Sequence, residues 1–325
     1  MHLYLSMCLR VFLIIKKNIK VVGKELMNSH KTKGRVAVDR AYSTGDLVVL
    51  AVTFLTFFLM TSAYFVLSYI IENASMGNFA SIEWTTGLVA TLFGSLMLFF
   101  LILAFGMFIV RMQRQTMLGN SLQVEYSDYA WLRDWTNIVA ADLEMPRVEV
   151  FITQDPVINA YAFGFIKPYT IVLNSGSIRY LTRDELKVVV VHEMGHIKYG
   201  HTAASMYLLP FLSLPIINVI GIWVSGFWRR RTEFTCDRLA LMYLEDSELV
   251  KASLIKVDVG PDVAKSMNEI ARQWLHYNAE RPMNRLAQTL SSHPFLVRRL
   301  SHVDRWKHYV EPAVDYANYH SGGQV

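Results

Sequence analysis

The apolar residues of the chain fall into blocks. From Leu47 to Ile71, from Trp84 to Val110 and from Thr202 to Trp228 no residue is charged. Each block is longer than the roughly 20 apolar residues with which a helix crosses a hydrocarbon core about 30 Å thick. The first two predict a two-helix transmembrane hairpin over residues 46–111. A shorter apolar run, Leu3 to Ile15, carries Arg10 and lacks a small-residue cleavage site, so it predicts an interfacial helix rather than a secretory signal. Near Met112 polar and charged residues return, and residues 112–325 read as a mainly helical α+β domain. Ser127 to Leu143 has helical spacing and ends at Pro146. Strands are expected at Arg147–Thr153, Ala160–Phe163 and Tyr169–Leu173, too short and too few for a doubly wound sheet. Thr182-Arg-Asp-Glu185 is a capping-box pattern that starts a helix. This helix must pass through Val188 to Val191, four β-branched residues of modest helix propensity.

Charge orients the hairpin. Lys16, Lys17, Lys20, Lys24, Lys31, Lys33, Arg35 and Arg40 make residues 1–45 a basic segment and account for much of the formal charge of +5. The loop between the spans has Glu72 and Glu83 and no Lys or Arg, whereas Arg111 and Arg114 follow the second span. Short Lys/Arg-rich loops stay cytoplasmic, so both ends of the hairpin and everything after it are placed there. The basic stretch lacks interleaved aromatics and any nucleic-acid motif, which leaves the lipid bilayer and not nucleic acid as its partner. Cys8 and Cys236 cannot make a disulfide framework, in keeping with a reducing compartment.

Candidate chemistry lies on the capped helix, in His192-Glu193-Met194-Gly195-His196. Residues four apart share a helix face, so the two imidazoles can reach one tetrahedral zinc, with Glu193 beside them as general base toward a water. Two ordinary histidines without a metal would show the same spacing. A catalytic zinc needs a third protein ligand. His201 lies about 140° round the helix from His196, which suits a residue behind the site better than a ligand if the helix continues. Farther on, Glu233 and Asp237 share a helical face. Glu233 can ligate the metal, and Asp237 can accept from the outer N–H of a ligating imidazole. Read alone, the stretch also suits a solvated helix with an Asp–Arg pair.

Several pieces in a fixed order resemble the HtpX-type and CAAX-prenyl-protease-type family of gluzincin membrane zinc metallopeptidases. They are Asn159-Ala-Tyr-Ala-Phe-Gly164, His192 to His196 with His201 behind, Glu233 with Asp237, Ala252-Ser-Leu-Ile-Lys256, and Ser292-His-Pro294 with Arg299. The resemblance implies a transmembrane hairpin followed by a helical zincin domain with a small sheet, one Zn2+ per chain, and protein or peptide substrates. It implies that Asn159, Ala160, Tyr161 and Ala162 form an edge strand aligning an extended substrate. It places His293 or Arg299 near the reacting carbonyl. Cys236 stands where the family has a small residue, and packing is expected of it. The function expected is an integral-membrane zinc metalloendopeptidase acting on membrane-associated or misfolded proteins, multi-pass in a bacterial inner membrane with its catalytic domain on the cytoplasmic side. A processing protease for one dedicated substrate and a non-catalytic zinc-containing adaptor are the alternatives. The sequence sets no oligomeric state.

The third apolar block adds a condition. A single crossing between Thr202 and Trp228 would put Glu233 on the opposite side of the bilayer from His196. Pro210 and Pro215 near its middle predict instead a membrane-associated or re-entrant hairpin over 202–228. A tag inserted directly after Trp228 is expected to report the same side of the membrane as His196 in a protease-accessibility assay; a tag on the far side removes both the hairpin and Glu233 as a ligand.

Overall fold

The computed structural model describes residues 33–75, 84–165, 167–212, 215–291 and 293–310. The helix expected at Leu3–Ile15, the lysines before Lys33, Glu83 and Ser292 lie outside them. The described chain runs α1 (Lys33–Ala41), α2 (Thr44–Ser75), α3 (Trp84–Gly119), β1 (Ser121–Gln123), α4 (Ala130–Asp142), β2 (Val148–Thr153), β3 (Ala160–Phe163), β4 (Tyr169–Asn174) and α5 (Ser175–Tyr180). It continues with α6 (Arg183–Lys198), α7 (His201–Leu212), α8 (Pro215–Leu244), α9 (Ser247–Val259), α10 (Pro261–Ser266), α11 (Glu269–Ala279), α12 (Pro282–Leu290) and α13 (Leu296–Trp306).

Helices α2 and α3 contain the stretches Thr44–Ala74 and Val89–Gly119, each long and apolar enough to cross a membrane. Their outward side chains, Leu55, Leu101 and Phe105 among them, are exposed. An apolar surface of that extent calls for a nonpolar surrounding. The sheet has the order β1-β2-β4-β3, with β2 and β4 parallel and β3 antiparallel to β4. This leaves β3 at an edge. The three longer strands fall where short apolar runs bounded by turn residues place them. β1 pairs with β2 over only three residues, too few for a period of two to be visible in sequence.

Helix α6 starts at the expected capping box. The Thr182 side chain accepts from the Glu185 backbone N–H, and Glu185 Oε2 accepts from the Thr182 N–H at 2.8 Å. Glu185 is buried, and Lys256 of α9 sets its ammonium 2.7 Å from Oε1, which locates the Ala252–Lys256 segment against the start of the helix that carries the two histidines. Val188, Val190, Val191 and Met194 are buried in the main core with Leu239 and Leu241 of α8. Burial of these β-branched side chains outweighs their weak helix propensity. Gly195 lets the two helices approach: a Cβ there would lie 3.0 Å from Cys236 Sγ and 3.2 Å from Leu239 Cδ2.

Beyond Lys198 the helix does not continue. Gly200 adopts φ +74°, a conformation glycine takes without strain, and α7 begins in a new direction at His201. Helix α7 runs through Pro210 to Leu212, and α8 opens on Pro215, where the missing N–H costs no helical bond. The two arms pack on each other and on α2, α7 packs also on α3, and α8 carries the chain back beside α6. Lys33–Ala41, which in sequence is the end of the basic segment, is a helix packed into the core. Ala37 and Ala41 are buried, and Arg238 of α8 donates to Ala41 O from Nε at 3.1 Å and from Nη2 at 2.9 Å.

Gly195→Val would overfill the α6–α8 contact. A loss of about 1–3 kcal/mol is expected, the usual cost of extra methyl groups in a packed core, seen as a lowered unfolding midpoint of the purified protein.

Candidate metal centre and cleft

Helices α6 and α8 bring together residues that are far apart in the chain. His192 Nε2 lies 3.4 Å from Glu233 Oε2, and His196 Nε2 lies 3.3 Å from Glu233 Oε1. Ligands held about 2.0–2.1 Å from a tetrahedral zinc are separated by about 3.3 Å along each edge of the tetrahedron, so both spacings suit a shared ion. The electrostatics agree. Burial disfavours the charged form of His192, but Asp237 and Glu233 outweigh it and push the group up to about 10. Burial likewise works against ionised Glu233, and the imidazoles of His192, His196 and His293 hold its carboxyl well below the ordinary range. A buried carboxylate flanked by imidazoles in this way offers ligand atoms to a divalent cation, whose charge would take the place of the ring protons.

The outer edges of both rings have partners. His192 Nδ1 is 3.0 Å from Asp237 Oδ1. His196 Nδ1 is 3.3 Å from His201 Nδ1, and burial together with the nearby His196 pushes His201 well down, leaving it neutral and able to accept. His201 thus stands behind His196 at the start of a new helix. Asp237 is itself clamped by Arg299, whose Nε and Nη2 donate to its two oxygens at 2.9 and 2.7 Å. Burial raises the Asp237 carboxyl, and the guanidinium overrides this and holds it below the ordinary range.

Cys236 also lies close. Ligand-type atoms of His192, His196 and Cys236 are within 4.8 Å of one another. Its Sγ, however, is fully buried 3.7 Å from His201 Nδ1, on the side where the outer ring nitrogens of His196 and His201 meet. Burial and then the charges of Glu233 and Asp237 push the thiol well up. A protonated thiol packed against Gly195 is a poorer donor than the carboxylate that faces both Nε2 atoms.

The centre opens into a cleft of about 590 Å³. Glu193, His192 and His196 form one wall, residues Ile158 to Phe163 along the edge strand β3 another, and His293 and Arg299 line it from the C-terminal side. Asn159, Ala160, Tyr161 and Ala162 are therefore all beside the histidines. The two C-terminal candidates differ. His293 is mostly exposed, with Nδ1 3.4 Å from Glu233 Oε2. Arg299 is buried, with two donors committed to Asp237 and Nη2 3.9 Å from Glu233. Sequence reasoning did not single out Asp258, whose Oδ1 is 3.8 Å from Arg299 Nη1 and whose carboxyl is raised mainly by burial. Thr202, also not singled out, and Ser253, within the Ala252–Lys256 segment but given no role there, are cleft residues with buried hydroxyls that have no partner among the described residues. No local pattern marks Asp258 and Thr202; they are polar residues on otherwise ordinary helices.

A paired histidine–carboxylate centre beside the edge strand of a small sheet is the layout of a zincin-type metallopeptidase. Residues 127–307, more than half of the chain, match Peptidase family M48, and the chain belongs to that family. It is 31% identical to the plastoglobule-localized metallopeptidase 48 of Arabidopsis thaliana, over 60% of this chain and 62% of that one. It is 35% identical to the Protease HtpX homolog 1 of Sulfurisphaera tokodaii over 31% of this chain and 34% of that one, and 32% identical to the Protease HtpX homolog of Streptococcus equi over 28% and 32%. The alignments thus span less than two thirds of the length of these relatives. Among solved structures, S. mikatae Ste24p aligns with a TM-score of 0.42 at 14% identity, covering 81% of this chain and 67% of that one.

Two substitutions separate the roles of the Asp237–Arg299 pair. Asp237→Asn is expected to lower zinc affinity about 10- to 100-fold, as loss of a ligand's outer partner does, measured by competition with a chelator. Arg299→Met is expected to cost about 3–5 kcal/mol of stability, because it leaves a buried carboxylate unpaired, measured by chemical denaturation.

Proposed function

We propose that the chain is an integral-membrane zinc metalloendopeptidase that hydrolyses peptide bonds of membrane-associated or misfolded proteins on the cytoplasmic side. The observation that carries this reading is the convergence of His192 and His196 Nε2 on the two oxygens of buried Glu233, with Glu193 lining the same cleft. His192, His196 and Glu233 would hold the zinc, which when bound polarises a carbonyl and acidifies water. Asp237 and His201 fix the two rings from behind, and Arg299 keeps Asp237 ionised in its buried position. Glu193 takes a proton from the attacking water and delivers it to the leaving amine nitrogen. His293, exposed at the cleft and not tied up by Asp237 as Arg299 is, donates to the carbonyl oxygen as charge develops there.

Edge strand β3 supplies the substrate register. Its unpaired backbone groups bind an extended peptide as an added strand, a mode that reads the main chain more than the side chains. This favours unfolded segments over a single dedicated sequence. An adaptor with a purely structural zinc would have no use for Glu193 beside the ligands and would close the fourth position.

Glu193→Gln is expected to lower cleavage about 100- to 10,000-fold, the usual share of a general base, with zinc content and unfolding midpoint unchanged. Full activity of that variant with zinc bound would overturn the mechanism. Cleavage of casein by the wild-type protein supports broad specificity, and failure on casein with cleavage of one defined partner favours a processing protease.

A further inference from the structure

Two helices of the domain carry an apolar face that no part of the described chain covers. On α11, Ile270, Trp274 and Tyr277 follow one another at i, i+4 and i+7; on α12, Met283, Leu286 and Leu290 do so at i, i+3 and i+7. All six are exposed, from 50% for Leu286 to 75% for Ile270. Spacing of this kind aligns each set along one helix face. In water such a stripe would be an aggregation hazard, and its size and continuity ask for an occupant.

The position of α12 in the fold names that occupant. At its C-terminal end, Arg230 Nη1 donates to Thr289 O at 3.0 Å and to Ser291 O at 2.6 Å, and a Cβ on Gly226 of α8 would lie 3.6 Å from each of these carbonyls. Farther from the metal centre along α8, Trp223 and Phe227 are half-exposed and line a shallow apolar hollow together with Val48, Val49 and Val52 of α2. These valines stand at the start of the first candidate span. Just on the other side of this level the surface turns polar: Arg231 Nε donates to Asp46 Oδ1 at 2.9 Å, and Thr235 donates to Asp46 Oδ2. The end of α12 therefore lies at the boundary between the apolar belt and the polar domain.

The residue types fit that level as well. Trp274 and Tyr277 are amphipathic rings of the kind enriched at headgroups. Arg281 sets its guanidinium over the Tyr277 ring, 5.9 Å from the centroid, as a basic residue does at the rim of a face lying on anionic lipid.

We propose that α11 and α12 form an interfacial helix pair whose apolar face lies in the cytoplasmic headgroup layer of the bilayer. The inference rests on the reading of α2 and α3 as membrane spans. It also bears on the cleft, because Ser291 and His293 follow α12 directly. A helix pair held in the interface fixes the height of the His293 side of the cleft above the membrane, so that segments emerging from or lying on the bilayer enter it.

The test uses the full-length protein reconstituted in vesicles of mixed neutral and anionic phospholipid. In a Cys8→Ser background the buried Cys236 is shielded from a maleimide. A fluorescent probe is attached in turn to Trp274→Cys, Met283→Cys and Leu286→Cys on the stripes and to Phe105→Cys of α3. Arg272→Cys and Arg285→Cys serve as controls, because both positions are exposed and lie about 160° round their helices from Ile270 and Met283. Blue-shifted emission at 274, 283 and 286, quenched by brominated acyl chains as at 105, with iodide quenching at 272 and 285, is the expected result. Iodide quenching at 274, 283 and 286 while 105 responds to brominated lipid overturns the interfacial pair and leaves the spans standing. Shielding of those three positions from both quenchers shows a protein cover, a second copy or a substrate, and also overturns it. Iodide quenching at 105 as well rejects the spans and, with them, the inference.

Discussion

The structure depends on one contact, that of α6 with α8 at Gly195. Two imidazoles on one helix can meet a carboxylate on another only if the backbones approach closely, and Gly195 against Cys236 and Leu239 sets that distance. The same contact governs the chain between them. Because Glu233 must return to His196, the uncharged run from Thr202 to Trp228 is divided into α7 and the first half of α8. Gly200 redirects the chain at one end, and Pro215 opens the returning arm. Helix α1 also packs on α8, with Arg238 of α8 donating to the Ala41 carbonyl.

Around that contact the charges are arranged in matched pairs, with Glu233 left over. Asp237 is balanced by Arg299 and turns its remaining capacity to His192. His201 is kept neutral and takes the outer nitrogen of His196. Glu233 lacks a permanent cation at bonding distance among the described residues, with Arg299 Nη2 no closer than 3.9 Å. A buried carboxylate whose two oxygens face the Nε2 atoms of two imidazoles at 3.4 and 3.3 Å suits a divalent ion, which would take the place of the ring protons. The cleft beside it is lined both by this centre and by residues of the edge strand β3.

Position relative to the membrane follows from a second set of contacts. Asp46, in the first turn of α2, is held by Arg231 and Thr235 of α8, each within a turn of Glu233. The first candidate span is therefore anchored directly to the helix that carries the third candidate ligand. The start of that span and the candidate metal centre are thus tied to one another through less than one turn of α8 on either side of Glu233.

Much of this was legible in the sequence, because it depends on residues near one another in the chain. The apolar blocks follow from their length without charge, the Thr182–Glu185 cap and the shared helix faces of His192 with His196 and of Glu233 with Asp237 from helical spacing, and the three longer strands from short apolar runs between turn residues. The sequence also posed the requirement that 202–228 turn back. What it could not decide were juxtapositions across long stretches: Arg231 with Asp46, 185 residues away; Arg299 with Asp237, 62 away; and the incorporation of Lys33–Ala41 into the core. The pairing of Arg299 with Asp237 and the placing of His293 at the open cleft belong to the same class. Local patterning determines which face of an element is apolar or carries a given group. Which faces then meet depends on packing summed over the whole chain, and only the tertiary structure settles that.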